Sequence, residues 1–350
     1  MAIYRLGDIA SIRIGKTPST GNNKYWYNGE ISWYNGENLS KKSHNCKKIT
    51  KYAVDNNNQP LTTSNSLLLS MVRYIEPFIP LTNASFNQGV ACIEPYDILK
   101  REFLYYWLEN NKKMIKKNLT SGSTFPSINS SDIKTIKLNL PSLKQQQEII
   151  DIIKPIEEAI NNLDKQIEEV KKTLSKKYEC LDNVRVGFSE YIELYANKYS
   201  GQENYLATNA VGEFTMDTTK EQNIIDNRPS RANLTPIKNS IIISKLNGEN
   251  KILYIDDMFS YVVSTGFFNF TSEYLDHVVG FLLSEDFKKQ KTLLSTGTTM
   301  VGLNNTGLNK IFIGEPSEKS DKIVKFLNTL IRNKLELKKE LNKVILLLVK

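Results

Sequence analysis

The sequence predicts a mixed α/β (α+β) fold built twice: two similar globular domains, each followed by a long helix, with the two helices forming an antiparallel coiled coil under an internal pseudo-twofold repeat. Three observations predict it. At 350 residues the chain has material for two hydrophobic cores. One segment of the first half lies over one of the second without a gap. Each half also ends in apolar residues spaced alternately by three and four, the pattern of a helix with an a/d seam.

The repeat sets the domain boundaries. Gly122 to Ser142 lie over Gly297 to Ser317 at an offset of 175, with six identities in 21 pairs (Gly122/Gly297, Thr124/Thr299, Asn129/Asn304, Ile136/Ile311, Pro141/Pro316 and Ser142/Ser317). Average residue usage gives only about one or two, so duplication is the simplest account. Upstream, Leu67-Leu-Leu-Ser70 matches Ile241-Ile-Ile-Ser244, and Asn87-Gln-Gly-Val90 matches Ser264-Thr-Gly-Phe267 at nearly the same offset. Each copy then runs through short strands, a Gly-Ser/Thr-Thr loop, an alternating strand (Ile136, Leu138 and Leu140 in the first), a Pro-Ser stop and a long helix. The expected organisation is a first domain over residues 1–142, a first helix over 143–185, a second domain over 186–317 and a second helix over 318–350.

The helices carry the clearest periodicity. Ile149, Ile153, Ile156, Ile160, Leu163, Ile167, Val170 and Leu174 form one seam. Ile323, Leu327, Leu330, Leu337, Leu341, Val344 and Leu348 form the other, with Lys334 as its polar member. A single polar core position commonly fixes which helices pair and in what register. Charges such as Glu157, Lys165, Glu168 and Lys172 lie between seam positions, as a solvated face requires. Pro155 lacks a backbone donor, so the first helix either kinks there or becomes regular there. With roughly 150 residues between the seams the chain has room to turn round, which favours antiparallel pairing; the alternative is that each seam packs on its own globular domain.

Composition excludes several classes. Hydrophobic residues make up 40% and charged residues 24%, which rules out a mainly disordered or collagen-like chain. The run Val344 to Val349 falls far short of the ~20 apolar residues of a membrane helix, and the first residues lack the apolar core of a signal peptide. A cytoplasmic protein with no membrane association is expected. Cys46, Cys92 and Cys180 form no C-x-x-C pair, and His44 and His277 have no ligand cluster around them, so neither disulfides nor a metal site are expected. Gly15-Lys16-Thr17 ends like a phosphate-binding loop, but the motif needs glycine where Ala10 stands. Glu336-Leu-Lys338 has a nuclease-like spacing but rides on the second heptad helix. No nucleophile elbow or dinucleotide-binding loop occurs, so a non-catalytic chain is expected.

What remains are polar, basic and aromatic loops, in a chain of formal charge +8 that favours polyanionic partners. The first half offers Lys16, Thr17, Ser19, Lys24, Arg73, Ser123 and Thr124; the second offers Arg228, Arg231, Lys245, Thr298 and Thr299. Such residues suit DNA. Arg and Lys meet phosphates or guanine edges, Asn reads adenine, and hydroxyls with backbone amides in Gly turns hold phosphate oxygens. Singly each reads as ordinary loop chemistry; their recurrence at matching points of both halves favours binding.

The order Leu6-Gly-Asp-Ile9, Gly15-Lys-Thr-Pro-Ser19, Ile31-Ser-Trp33, Leu69-Ser70, Asn87-Gln-Gly89, Gly122-Ser-Thr124, Ile128 and Leu140-Pro-Ser-Leu-Lys-Gln-Gln-Gln-Glu-Ile149 resembles the specificity subunit of type I restriction-modification systems over the whole chain. The second half departs from it, with Ser264-Thr-Gly for Asn-Gln-Gly and no Gln pair after Pro316-Ser317. The resemblance implies two target-recognition domains that bind the halves of a split sequence in double-stranded DNA. It implies two modification subunits, which hold S-adenosylmethionine and methylate adenine, and restriction subunits in the complete complex. This chain itself would hold no cofactor. The seam from Ile149 to Leu174 covers 26 residues, or about 39 Å of helix, comparable with about 11 base pairs. A bipartite target with a gap fixed by the helices is therefore expected; a coiled-coil scaffold binding proteins or other ligands is the alternative.

Overall fold

A computed structural model describes residues 2–73, 75–119, 127–179, 185–298 and 301–349. It divides into two units, Met1–Ala159 with Leu337–Lys350, and Ile160–Glu336. Both boundaries fall inside the long helices Leu143–Glu179 and Glu318–Leu348, here the central and C-terminal helices.

In the first unit the all-buried run Leu67–Ser70 sits inside a four-stranded antiparallel sheet, in the order Ala10–Ile14, Val90–Pro95, Leu67–Ser70, Pro77–Phe78. Continuous burial is what an unbroken apolar run predicts of an inner strand. A second sheet pairs Ile31–Tyr34 antiparallel with Lys47–Ile49 and parallel with Ala84–Phe86. Ala2–Arg5 pairs with Lys137–Leu140, and the turn of helix after it bonds back through Leu6 N to Ile136 O at 2.7 Å. Helix Arg101–Leu119 covers the sheet and buries Phe103, Leu104, Trp107 and Leu108.

The second unit repeats this plan with one strand more. Glu193–Tyr195, Phe267–Thr271, Ser240–Ser244 and Ile252–Ile255 form the antiparallel sheet, in the same order. Asn204–Leu206 pairs antiparallel with Gln222–Asn223 and parallel with Val262–Ser264, with Ala232–Leu234 added at the far edge. Arg185–Gly187 pairs with Phe312–Gly314, and Phe188 N bonds Ile311 O at 2.8 Å. One covering helix becomes two, Leu275–Leu282 and Glu285–Leu294, because Ser284 intervenes and caps the second through Phe287 N at 3.2 Å.

Two aligned asparagines of the repeat do identical work. Asn129 caps helix Ser130–Thr135 through Asp132 N, and Asn304 caps helix Asn305–Leu308 through Gly307 N. The central helix opens with a capping box: Gln145 N meets Ser142 Oγ at 3.3 Å, and Ser142 N meets Gln145 Oε1 at 3.1 Å. Gln146 beside it is wholly buried and ties two loops, donating to Ile98 O at 3.0 Å and Pro141 O at 2.9 Å and accepting from Lys100 N at 2.8 Å. The Gln pair of the first copy is therefore structural.

The helices pack together and run antiparallel. In the second unit Asp164 pairs with Lys334, and Lys177 Nζ donates to Ser317 Oγ at 3.1 Å. There Ile167, Leu174, Val324, Leu327 and Leu330 are buried with the domain core, with Leu163, Val170 and Ile323 half-buried against it. In the first unit Ile150, Ile153 and Val349 are buried with the core, and Ile149, Leu341, Val344 and Ile345 pack on it. Ile160 is buried, while Ile156 and Leu337 are half-buried. One predicted seam position needs correction: Leu348 is 37% exposed and Val349 takes its place. A straight helix of 3.6 residues per turn drifts about 20° per heptad from a 3.5 repeat, so the buried stripe passes to Ile345 and Val349. The central helix runs unbroken through Pro155.

Candidate nucleic-acid interface

In the first unit three turns meet beyond the strands Ile31–Tyr34, Leu67–Ser70 and Ala84–Phe86. Asn35 and Asn38 close a reciprocal capping box at 3.0 Å each way, opening helix Gly36–Ser40. Asn87 N bonds Tyr34 O at 2.9 Å, and Asn87 Oδ1 accepts from Gly89 N at 3.1 Å. Met71 N then bonds Gly89 O at 2.9 Å, and Ile128 N bonds Met71 O at 2.9 Å. These bonds bring the hairpin carrying Arg73 against the Asn87-Gln88-Gly89 turn. Gly15-Lys16-Thr17 docks on the same turn, with Lys16 N on Phe86 O at 2.9 Å and Thr17 Oγ1 bonded to Gln88. Gly15 permits this approach, since a Cβ there would stand 2.2 Å from Phe86 O. The resulting cleft is lined by Asn35, Glu37, Lys41, Arg73, Asn87 and Gln88 among others. Lys41 bonds Glu37 at 2.6 Å and holds that carboxyl below its usual range.

Ser19 and Lys24 belong to a neighbouring patch. Trp26 Nε1 donates to Ser19 O at 3.0 Å, and Asn22 caps the short helix Asn23–Trp26 through Lys24 N. The Lys47 ammonium lies 5.8 Å from the Trp26 ring centre, with Thr20 and Lys48 alongside. The sequence reading missed Lys47 and Lys48. The adjacent basic pair was visible, but its pairing opposite Ile31–Trp33, which brings it to the tryptophan, is a long-range contact.

The second unit builds the equivalent edge with other side chains. Ser264 Oγ accepts from Gly266 N at 3.1 Å, as Asn87 does from Gly89, so the departure from Asn-Gln-Gly keeps the same turn bond. Lys245 N bonds Gly266 O at 2.8 Å, and Leu303 N bonds Lys245 O at 2.8 Å, repeating the two bonds of Met71. Thr265 N bonds Arg231 O at 2.9 Å, placing Arg231 at this turn too. Lys245 is half-buried with its ammonium 4.8 Å from the Phe268 ring centre, and burial pulls its pKa down. It lines a cleft with Lys198, Asn233, Thr265, Phe268 and Asn305 among others. Thr298 is exposed, two residues beyond Thr296, whose backbone exchanges bonds with Gly302 at 3.0 and 2.9 Å.

Arg228 is held at the start of the strand that pairs with Ser264. Its guanidinium donates to Ala232 O at 2.8 Å and lies 4.7 Å from the Tyr199 ring centre, bracing the added strand. Ser123, Thr124 and Thr299 lie outside the described residues.

Two lysines not anticipated from sequence brace the hairpins from below. Lys112 on the covering helix grips both Glu76 carboxylate oxygens at 3.1 and 3.0 Å. Lys291 is buried and donates to Ser244 O at 2.7 Å and Glu249 O at 2.8 Å; burial, opposed by Glu249, brings its pKa down to about 8. No sequence motif marks either residue, because the hairpin partners of each lie more than 30 positions away.

His277 is buried, with Nε2 facing Gly314 O at 2.8 Å and Tyr178 Oη donating to its carbonyl at 2.8 Å. Among the described residues no group of His, Cys, Asp and Glu is placed to hold a metal ion, and no helix is long and apolar enough to cross a membrane. Cys46 and Cys92 are free thiols. Each edge therefore presents ammonium, guanidinium, amide and hydroxyl groups on turns fixed by backbone bonds, a donor-rich surface suited to phosphate oxygens and base edges.

Comparison with known proteins agrees with this chemistry. The type I restriction enzyme MjaIX specificity subunit of Methanocaldococcus jannaschii is 30% identical over 180 residues, 49% of this chain and 41% of that protein. The EcoR124I/EcoR124II specificity subunit of Escherichia coli is 22% identical over 192 residues, 52% of this chain and 47% of its own length. The chain thus spans less than half the length of these curated relatives. The crystal structure of the type I restriction-modification system S subunit from M. genitalium covers 99% of this chain and 93% of its own at a TM-score of 0.50 and 16% identity, a likeness of fold. The family model for the type I restriction modification DNA specificity domain matches twice, over residues 1–172 and 195–347, and the chain belongs to that family.

Proposed function

We propose that this chain is the DNA-recognition subunit of a type I restriction-modification complex, each domain reading one half of a split target in double-stranded DNA. The observation that carries this is the paired construction of the two edges. The same backbone bonds hold Met71, in the hairpin that carries Arg73, beside Asn87-Gln88-Gly89 and Lys245 beside Ser264-Thr265-Gly266, while the side chains presented differ. A conserved frame with altered side chains is what two readers of different half-sites require. Phosphate contacts from Lys16, Thr17, Ser19, Lys24 and Thr298 would set the register, and a few groups per domain would read bases. The helices would fix the unspecified gap between half-sites.

The chain would act without a cofactor and perform no bond-making step. Two modification subunits would bring S-adenosylmethionine and extrude and methylate the adenine, and restriction subunits would complete the assembly in the cytoplasm. The test is a mobility-shift assay with the purified modification partner and DNA of varied sequence. Sequence-selective complexes that need this chain support the reading. Their absence would favour a coiled-coil scaffold, and turnover by the chain alone would make it an enzyme.

A further inference from the structure

The duplicated hairpins differ at their tips. Each hairpin has one left-handed residue beyond its root, Arg73 (φ +66°) three positions after Ser70 in the first and Gly248 (φ +75°) four positions after Ser244 in the second, whose hairpin is one residue longer. The second copy has the residue that this conformation favours. The first has an arginine, whose Cβ makes the same backbone costly. Strain of this kind persists only where the surroundings impose it and clusters at functional positions.

The surroundings do impose it here. At the hairpin root Ser70 N bonds Glu76 O at 3.0 Å, Lys112 holds the Glu76 carboxylate, and Lys42 Nζ reaches Pro77 O at 2.5 Å. At its other side Met71 is bonded to Gly89 and Ile128. Between these anchors Val72 and Arg73 are exposed and line the cleft with Asn87, Gln88 and Gly89. A rigid root beneath a costly arginine suits a planar fork that must arrive in one orientation, as the bidentate pairing of arginine with a base edge requires.

We infer that Arg73 is a specificity-determining residue of the first domain, its guanidinium reading the O6/N7 edge of a guanine in that half-site. The inference rests on the DNA-reading function proposed above and assigns one base position to one side chain. The second domain has no counterpart at Gly248 and reads from its other groups.

The experiment uses the full chain assembled with its modification partner, a DNA library randomised over the target, and three forms of the chain: parent, Arg73→Gly and Arg73→Lys. Arg73→Gly should relax a single guanine in one half-site, leave the other positions unchanged and weaken binding of the parent target by roughly 5- to 150-fold. Its salt slope should stay that of the parent, and its melting temperature should rise by roughly 2–4 °C as the strain is relieved. Arg73→Lys keeps the charge without the fork and should relax the same position. A uniform loss of affinity over all sequences, with a salt slope smaller by about one, would make Arg73 a phosphate contact and overturn the inference. An unchanged preference in Arg73→Gly also overturns it. A parent complex without any sequence preference would instead overturn the DNA-reading function itself.

Discussion

Gly15 offers the sharpest test of how the first domain holds its loops. Substituting alanine puts a Cβ 2.2 Å from Phe86 O and 2.3 Å from Asn87 O, about 0.8 Å inside the 3.0 Å limit that real Cβ contacts respect. Both obstacles are backbone atoms, so no side chain can rotate away. The Gly15 segment must lift, which loses or weakens the bonds from Lys16 N to Phe86 O and from Gly15 N to Val90 O. At about 0.5–1.5 kcal/mol for each net hydrogen bond, Gly15→Ala should cost about 1–3 kcal/mol. For a unit of this size that lowers the melting temperature by roughly 2–4 °C per kcal/mol. Thr17 leaves Gln88 in the same movement, and Lys16 moves with it, so the salt slope of DNA binding by the assembled complex should fall by about one. Gly21→Ala is the control, because a Cβ there meets nothing within 4 Å. Calorimetry and salt titrations of parent and both variants decide the matter. A Gly15→Ala chain that melts and binds like the parent would refute the docking of this loop on the Asn87 turn.

Other predictions follow from buried groups. Gln146→Ala orphans the Lys100 N–H and the Ile98 and Pro141 carbonyls in a dry site, and should cost about 3 kcal/mol in denaturant unfolding, whereas Gln147→Ala, on the exposed side, should cost little. Gly280→Ala brings a Cβ within 2.6 Å of Tyr178 Oη and 2.9 Å of Val324 Cγ2, so it should destabilise the second unit, and Tyr178→Phe in the same chain should recover part of the loss in thermal melts. His277 has its pKa lowered chiefly by burial, so the folded chain binds its proton less readily than the unfolded chain. Its effect on stability is absent above the unfolded value of about 6.5 and grows unfavourable as pH falls from there toward the folded value. Melting temperatures measured from pH 7.5 to 5 should therefore fall more steeply in the parent than in His277→Gln. Lys334→Leu removes the cation of an ion pair whose Asp164 carboxylate is 46% exposed and can be solvated alone, and should change stability by no more than about 1 kcal/mol.

Much of the architecture was legible because it is written in local periodicity. The seams named both long helices, and the offset of 175 named Asn129 and Asn304, which prove to be the same helix cap. Where a structural role depends on distant partners, sequence was silent. Nothing in the sequence marks Lys112 or Lys291, and the bond by which Arg228 braces a strand at Ala232 O is equally invisible there. Ser264-Thr-Gly looked like a divergence, yet its hydroxyl accepts the same glycine N–H that an asparagine oxygen accepts in the first copy. Leu348 was misplaced because a heptad template does not include the drift of a straight helix. Of the candidate DNA contacts, Lys16, Thr17 and Arg73 meet at one turn, and Arg231 and Lys245 at its counterpart. That convergence comes from sheet topology, which single-residue chemistry does not encode.

The central claim is that two copies of one frame read two separate pieces of DNA. The most direct measurement is sequencing of methylated adenines in cells that hold the modification partner, with and without this chain. The account predicts methylation only when the chain is present, at one motif made of two specified parts and a gap of constant length. A continuous motif, or methylation that does not change when the chain is removed, would contradict it.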